Sequence, residues 1–158
     1  MTETEVDPRA SVYEVYLRAE TLEDIVEQCK DQTPYEAIGF LVGKHYTWSG
    51  KEWVAANGII CGKTKATQVR VEFDEGAMGD IVTELRQRYP DQILVGWYHS
   101  HPGYGCFLSP TDVATQKSCF RERYHVALVV DPFQELYEFF KLENNGQTYR
   151  QASFAIVR

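Results

Sequence analysis

The chain has 158 residues, a formal net charge of −7 at pH 7 and four cysteines without a C-x-x-C pair. A length of this order makes one domain that buries roughly two thirds of its unfolded surface, so no disulfide framework is needed, and the cysteines read as reduced thiols. The acidic balance argues against nucleic acid or an anionic membrane as partner, no apolar run approaches the ~18 residues of a membrane span, and the opening MTETEVDPRA is polar; together these point to a soluble, cytoplasmic protein.

In chain order, residues 1–10 are expected to be a disordered tail and 11–158 a single domain. SVYEVYLR (11–18) alternates as a strand does. From Thr21 a T-x-x-D cap opens a helix with Leu22, Ile25, Val26 and Cys29 on one face, broken by Thr33 and Pro34. EAIGFLVG (36–43), WVAANGII (53–60) and QVRVEF (68–73) follow as strands, the last with Val69, Val71 and Phe73 on one face. Asp74 is placed to cap a second helix bearing Met78, Ile81, Val82 and Leu85, which ends before Pro90. QILVGWYH is a buried strand, Ser109 and Pro110 open a third helix, and HVALVVD (125–131), ELYEFFKL (135–142) and the last dozen residues add strands. The sum is an α+β domain: a mixed, curved sheet flanked by about three helices.

Chemistry concentrates in GWYHSHPGYGCFLSPTD (96–112). Side chains alternate along a strand, so His99 and His101 share a face with Cα atoms about 6.5 Å apart, a spacing at which two imidazoles can meet one ion. A third ligand is then needed, and Asp112 is the candidate, returned by the Gly103 and Gly105 turn. The same residues have a structural reading: serine, proline and aspartate at 109, 110 and 112 make a helix start with a capping box. Both readings stand at this point. His45 and His125 lack partners at ligand spacing, and Cys106 reads as a packing residue because nothing local lowers a thiol pKa.

Glu36, His99-Ser100-His101-Pro102, seven intervening residues and Ser109-Pro110-Thr111-Asp112 together resemble the E…H-S-H-P-x7-S-x-x-D signature of the JAMM (MPN+) metalloproteases. VGWYHSHPGYGCFLS and VVDPFQ (129–134) are similar to the branch of the proteasome-lid deubiquitinase and the signalosome deneddylase, from about Val12 to Leu142. Phe107 stands where that branch usually has tryptophan. The chain also stops at Arg158, without the C-terminal helices that dock the eukaryotic relatives into their complexes.

The resemblance implies that 11–158 is a JAMM/MPN+ catalytic domain in which His99, His101 and Asp112 hold zinc (Zn2+). It further implies that Glu36 is the general base and that Ser109 stabilises the oxyanion. The implied partners are ubiquitin or a ubiquitin-like modifier and its conjugates, cleaved after the Gly-Gly tail. An MPN-type homodimer or association with a proteasome-like system is left open. QVRVEF, preceded by the polar CGKTKATQ, is the expected sheet edge for the modifier's tail. Phe107 is expected to line the groove and Trp97 to pack in the core. Two other readings remain open: a related hydrolase acting on a small-molecule or sulfur-carrier conjugate, and an inactive MPN scaffold, which the complete residue set disfavours.

Overall fold

The computed structural model describes residues 13–62 and 75–158. The expected tail at 1–10, the QVRVEF strand and the Asp74 cap lie outside the described residues. Within them the order is β1 (Val15–Arg18), α1 (Ala19–Gln32), β2 (Ile38–Trp48), β3 (Lys51–Cys61), α2 (Glu75–Arg88), β4 (Ile93–Ser100), α3 (Pro110–Cys119), β5 (Val126–Asp131), β6 (Leu136–Glu143), β7 (Thr148–Ala152) and β8 (Phe154–Val157). Three helices thus accompany one mixed eight-stranded sheet, ordered β7-β6-β5-β4-β2-β3-β1-β8. The expected fold class holds.

The sheet is curled, and the chain shows why. Its two outermost strands, β7 and β8, are consecutive and joined only by Ser153. Glu14 and Val15 donate backbone N–H bonds to Ser153 O, and Arg150 of β7 pairs with Glu14, so the two ends of the sheet are pulled together. A curled sheet has an inside and an outside, and the alternating side chains build a core on each. Val15, Leu17, Leu41, Val54, Tyr98, Leu128 and Phe139 face α1 through Ile25 and Cys29. Ile38, Phe40, Trp97, Ala127, Val129 and Phe140 face the other way, toward Ile81 of α2 and Phe120 just beyond α3. The first six residues of β2 and most of β4 and β5 are buried on both faces, which is why these stretches read as near-continuous apolar runs.

Several element boundaries differ from the sequence reading. Helix α1 begins at Ala19, not at a Thr21 cap; β1 runs straight into it, Arg18 at the N-cap makes no side-chain cap bond, and Thr21 is buried inside the first turn. Ile81 of α2 is buried, whereas Val82, assigned to the same apolar face, is exposed because one side of this helix meets the sheet. Strand β2 starts at Ile38, so Glu36 precedes the strand instead of lying on it.

One close approach fixes the strand that carries the H-x-H pair. A Cβ built on Gly96 would lie 2.0 Å from the Val126 carbonyl oxygen, so β4 and β5 can meet only with glycine there.

A candidate metal centre

Antiparallel pairing of β2 with β4 aligns Ile38 with His99. Continued by two residues, that register brings Glu36 opposite His101. The continuation is held by Ser100, whose side chain points away from the two histidines: its Oγ accepts the Ala37 N–H at 2.7 Å, and its own N–H donates to Ala37 O at 3.0 Å. Glu36 is thereby fixed next to a doubly anchored alanine. Its Oε1 stands 3.8 Å from His101 Nε2, with the side chain 18% exposed.

His99 and His101 are both buried, and their Nε2 atoms face one another at 3.0 Å. Trp97 stacks on the His99 ring and is itself tied to Gln116 of α3 by its indole N–H. His101 is held from both ends. Its backbone N–H donates to Val130 O at 2.8 Å, and its Nδ1 lies 3.2 Å from the carbonyl oxygen of Gly105. A carbonyl only accepts, so Nδ1 is the donor in this contact.

Asp112 completes the group. Its Oδ2 lies 3.0 Å from His99 Nε2 and 3.2 Å from His101 Nε2. The same oxygen accepts the Ser109 N–H at 2.9 Å, and Ser109 Oγ accepts the Asp112 N–H at 3.1 Å, a reciprocal capping box with Pro110 at the first helical position. The helix-start reading of Ser109-Pro110-Thr111-Asp112 is found, and the same cap directs Asp112 Oδ2 toward the two histidines. Burial pushes the Asp112 carboxyl up, but hydrogen bonds from His101 and His99 outweigh it and hold the group well below the usual carboxylate range. Glu36 moves the other way, raised chiefly by burial and also by Asp112, against a smaller pull from the two histidines.

The donor set fits zinc. The potential ligand atoms of His99, His101 and Asp112 all lie within 4.8 Å of one another. Ligands held at ~2.0–2.1 Å around a tetrahedral ion are about 3.3 Å apart, close to the spacings between these atoms. Two imidazole nitrogens and a carboxylate oxygen, turned on one another in a buried place, could hold a cation between them. Buried His99 Nδ1 has no hydrogen-bond partner among the described residues, so the polar contacts of this ring are at its Nε2 end.

The group opens into a cleft of ≈ 320 Å³ lined by Glu36, Trp97, His99, His101, Tyr104, Phe107, Ser109, Thr111, Asp112 and Thr115. Phe107 lines it as expected, 39% exposed with its ring centroid 4.7 Å from that of His101. Trp97 both packs in the core and lines the floor. Away from the cleft, His45 bonds Glu52 at 2.9 Å and stacks on Tyr124, and His125 Nδ1 accepts the Glu122 N–H. Cys106 donates to Val129 O, its thiol pushed up to about 11 by burial, so it packs, as read.

A family model described as JAB1/Mov34/MPN/PAD-1 ubiquitin protease matches residues 10–123. The chain belongs to this family. It is 36% identical over 128 residues to the 26S proteasome regulatory subunit RPN11 of Candida glabrata, an alignment spanning 77% of this chain and 40% of that protein. It is 35% identical over 127 residues to the ubiquitin carboxyl-terminal hydrolase RPN11 of Saccharomyces cerevisiae, with the same coverage of 77% and 40%. Subunit 5 of the COP9 signalosome complex from Candida albicans is 37% identical over 114 residues, covering 64% of this chain and 17% of that protein. The alignments thus span about two fifths or less of these relatives. The solution structure of a protein from Desulfitobacterium hafniense superposes with a TM-score of 0.71 at 16% identity, covering 90% of this chain and 92% of that one, and so shares the fold. The resemblance to the proteasome-lid and signalosome branch, and the single MPN domain, both hold.

Three supporting residues escaped the sequence reading. Ser100 and Gln116 are polar residues that the fold buries. Asp131 is fully buried at the end of β5, where its Oδ1 accepts the N–H groups of Gly103, Phe133 and Gln134 and its Oδ2 that of Gly105. Burial pushes its carboxyl up, but these four donors outweigh it and hold the group below its ordinary value. The available signal was the charge itself: an aspartate closing the run VALVV must find donors in the turns at its end.

Proposed function

We propose that this protein is a zinc-dependent isopeptidase, cytoplasmic in setting, that hydrolyses the bond after the C-terminal Gly-Gly tail of ubiquitin or a ubiquitin-like modifier. The observation that carries the reading is the convergence of His99, His101 and Asp112 beside Glu36 at the floor of an open cleft. Membership of a family described as a ubiquitin protease supports the substrate class.

When bound by His99, His101 and Asp112, zinc supplies Lewis acidity and an activated water. Glu36, close to the ligands but directed past them, accepts the proton of the attacking water and returns it to the leaving amine. Its partial burial suits that exchange, because a carboxyl raised above its ordinary value holds the proton long enough to pass it on. Ser109 Oγ is engaged as an acceptor by the Asp112 N–H, which leaves its O–H free to donate to the oxygen of the scissile carbonyl. Phe107 and Tyr104 wall the approach, and a tail of glycines, lacking Cβ atoms, fits a narrow channel beside such rings. No covalent intermediate on the chain is required.

The relatives named for the proteasome and the signalosome support an association with a proteasome-like system as the setting of this activity. Mass spectrometry of the products from a panel of ubiquitin-like conjugates tests the substrate class, alongside a small peptide-Gly-Gly amide and a sulfur-carrier conjugate. Release of an intact modifier ending in Gly-Gly is expected. Turnover of the small amide or the sulfur-carrier conjugate alone would replace the isopeptidase reading with that of a small-substrate hydrolase.

A further inference from the structure

One connected path of hydrogen bonds leads from the metal centre to a residue outside it. His101 Nδ1 donates to the carbonyl of Gly105 at 3.2 Å, and the N–H of the same Gly105 donates to Asp131 Oδ2 at 2.8 Å. Glycine reaches the φ of +80° at Gly105 and of +89° at Gly103 without strain, but it reaches many other conformations as readily, so neither residue fixes its own pose. Each needs an outside grip, and one buried carboxylate supplies both, since Asp131 Oδ1 takes the Gly103 N–H at 3.0 Å. That oxygen also holds Phe133 N–H at 3.0 Å and Gln134 N–H at 3.1 Å, and Gln134 Nε2 reaches back to Gly103 O at 2.9 Å. The turn after His101 and the turn after β5 are thus closed around a single side chain.

We infer that Asp131 is a positioning residue of the metal centre: through Gly105 it fixes the ring orientation and proton placement of His101, so that Nε2 is presented to the ion. The inference rests on the zinc reading of His99, His101 and Asp112. Outer partners of ligating histidines are worth about 10–100-fold in metal affinity when removed. Asp131 differs from the usual outer partner in acting one residue further away, through a backbone amide.

Asp131→Asn tests this with almost no change in volume. An amide keeps one accepting oxygen and turns the other into a donor. With the oxygen left on the side of Gly103, Phe133 and Gln134, the new NH2 faces the Gly105 N–H, a donor against a donor. Gly105 is displaced, and its carbonyl with it.

The experiment measures the zinc dissociation constant by competition with a chromophoric chelator, and the ring nitrogen shifts of His101 by NMR, in wild type and Asp131→Asn. Affinity is expected to fall by about tenfold or more, and the His101 ring to move from a single Nδ1–H form to a mixture. A purely structural Asp131 lowers the melting temperature but leaves the zinc constant and the His101 shifts of the folded variant at wild-type values, and that result overturns the inference.

Should the variant not fold, NMR of zinc-free wild-type protein decides between the two roles. A protected Gly105 amide and an Nδ1–H His101 support the inference; an amide exchanging like open loop, or an Nε2–H ring, contradicts it. Wild-type protein that binds no zinc removes the metal reading itself, an outcome distinct from equal binding by both proteins.

Discussion

Trp97 lies flat against His99, with 4.6 Å between ring centroids and 9° between planes, while its indole N–H is held by Gln116. Gln116 in turn donates to His125 O at 3.3 Å, so one tryptophan links His99 on β4 to the helix whose first turn carries Asp112. Trp97→Phe keeps a ring against His99 but leaves the buried Gln116 oxygen without its donor. It should cost about 1–3 kcal/mol of stability with zinc affinity nearly retained. Trp97→Ala removes the stack as well, and should cost about 3–5 kcal/mol and weaken zinc binding. Urea unfolding and chelator competition separate the two effects; equal zinc affinities in all three proteins would show that the stack does not orient His99.

Removal of zinc should abolish turnover without unfolding the chain. Neither apolar core includes His99, His101 or Asp112, so the fold has its own foundation, and the ion adds only the linkage term of a bound ligand, about 3–4 kcal/mol at 100 to 1,000 times its dissociation constant. Circular dichroism of chelator-treated protein should keep its native signal, with a lower Tm that zinc restores. Complete unfolding on chelation would make the metal structural.

Gly96→Ala should be among the most damaging single-methyl changes in this sheet. The added carbon meets a backbone carbonyl at 2.0 Å, which no side-chain rotation relieves, so β4 and β5 must part. About 3 kcal/mol of destabilisation is expected, at the upper end of overpacking costs. Zinc affinity should fall too, because His99 lies on the displaced strand and His101 follows its last residue. A variant with wild-type Tm would mean that the approach is looser than this.

The seam of the sheet should be pH-dependent. The hydrogen-bonded Arg150 guanidinium is the main influence that lowers the Glu14 carboxyl, against a smaller opposing effect of burial. Because the folded-state pKa is the lower one, the pair stabilises fully above the ordinary carboxylate pKa, and this contribution is lost as pH falls through the depressed folded value. Both side chains are partly exposed, so about 1 kcal/mol or less is expected. Glu14→Gln should lower Tm at pH 7 and lose its effect at strongly acidic pH; an equal effect at both would assign the loss to packing.

How far the sequence reveals this molecule depends on whether a feature is local. The capping box at Ser109 and Asp112 and the shared face of His99 and His101 are set by spacing along the chain, and both are found as read. Contacts between distant segments were not legible. Nothing near Glu36 shows that Ser100, far along the chain, would anchor it, and nothing near Asp131 shows which N–H groups it would collect. Thr21 misled because its T-x-x-D pattern copies a cap, while the true helix start is set by β1 running directly into α1. The closure at Ser153 is invisible for the same reason: it depends on where β1 lies, not on the residues beside it.

The most direct test of the central claim is Glu36→Gln, assayed on a cleavable ubiquitin-like conjugate with zinc content measured in the same preparation. Glutamine keeps the volume and a hydrogen bond, but cannot take a proton near neutral pH. Turnover should fall by about 10²- to 10⁴-fold, with the loss in kcat. Zinc content and binding of the uncleaved conjugate should stay at wild-type levels, because Glu36 is proposed to act from outside the metal's ligand set. Preserved turnover per folded molecule would reduce Glu36 to a structural residue, and lost zinc would make it a ligand; either result contradicts the account of this site as a three-ligand zinc centre served by a separate base.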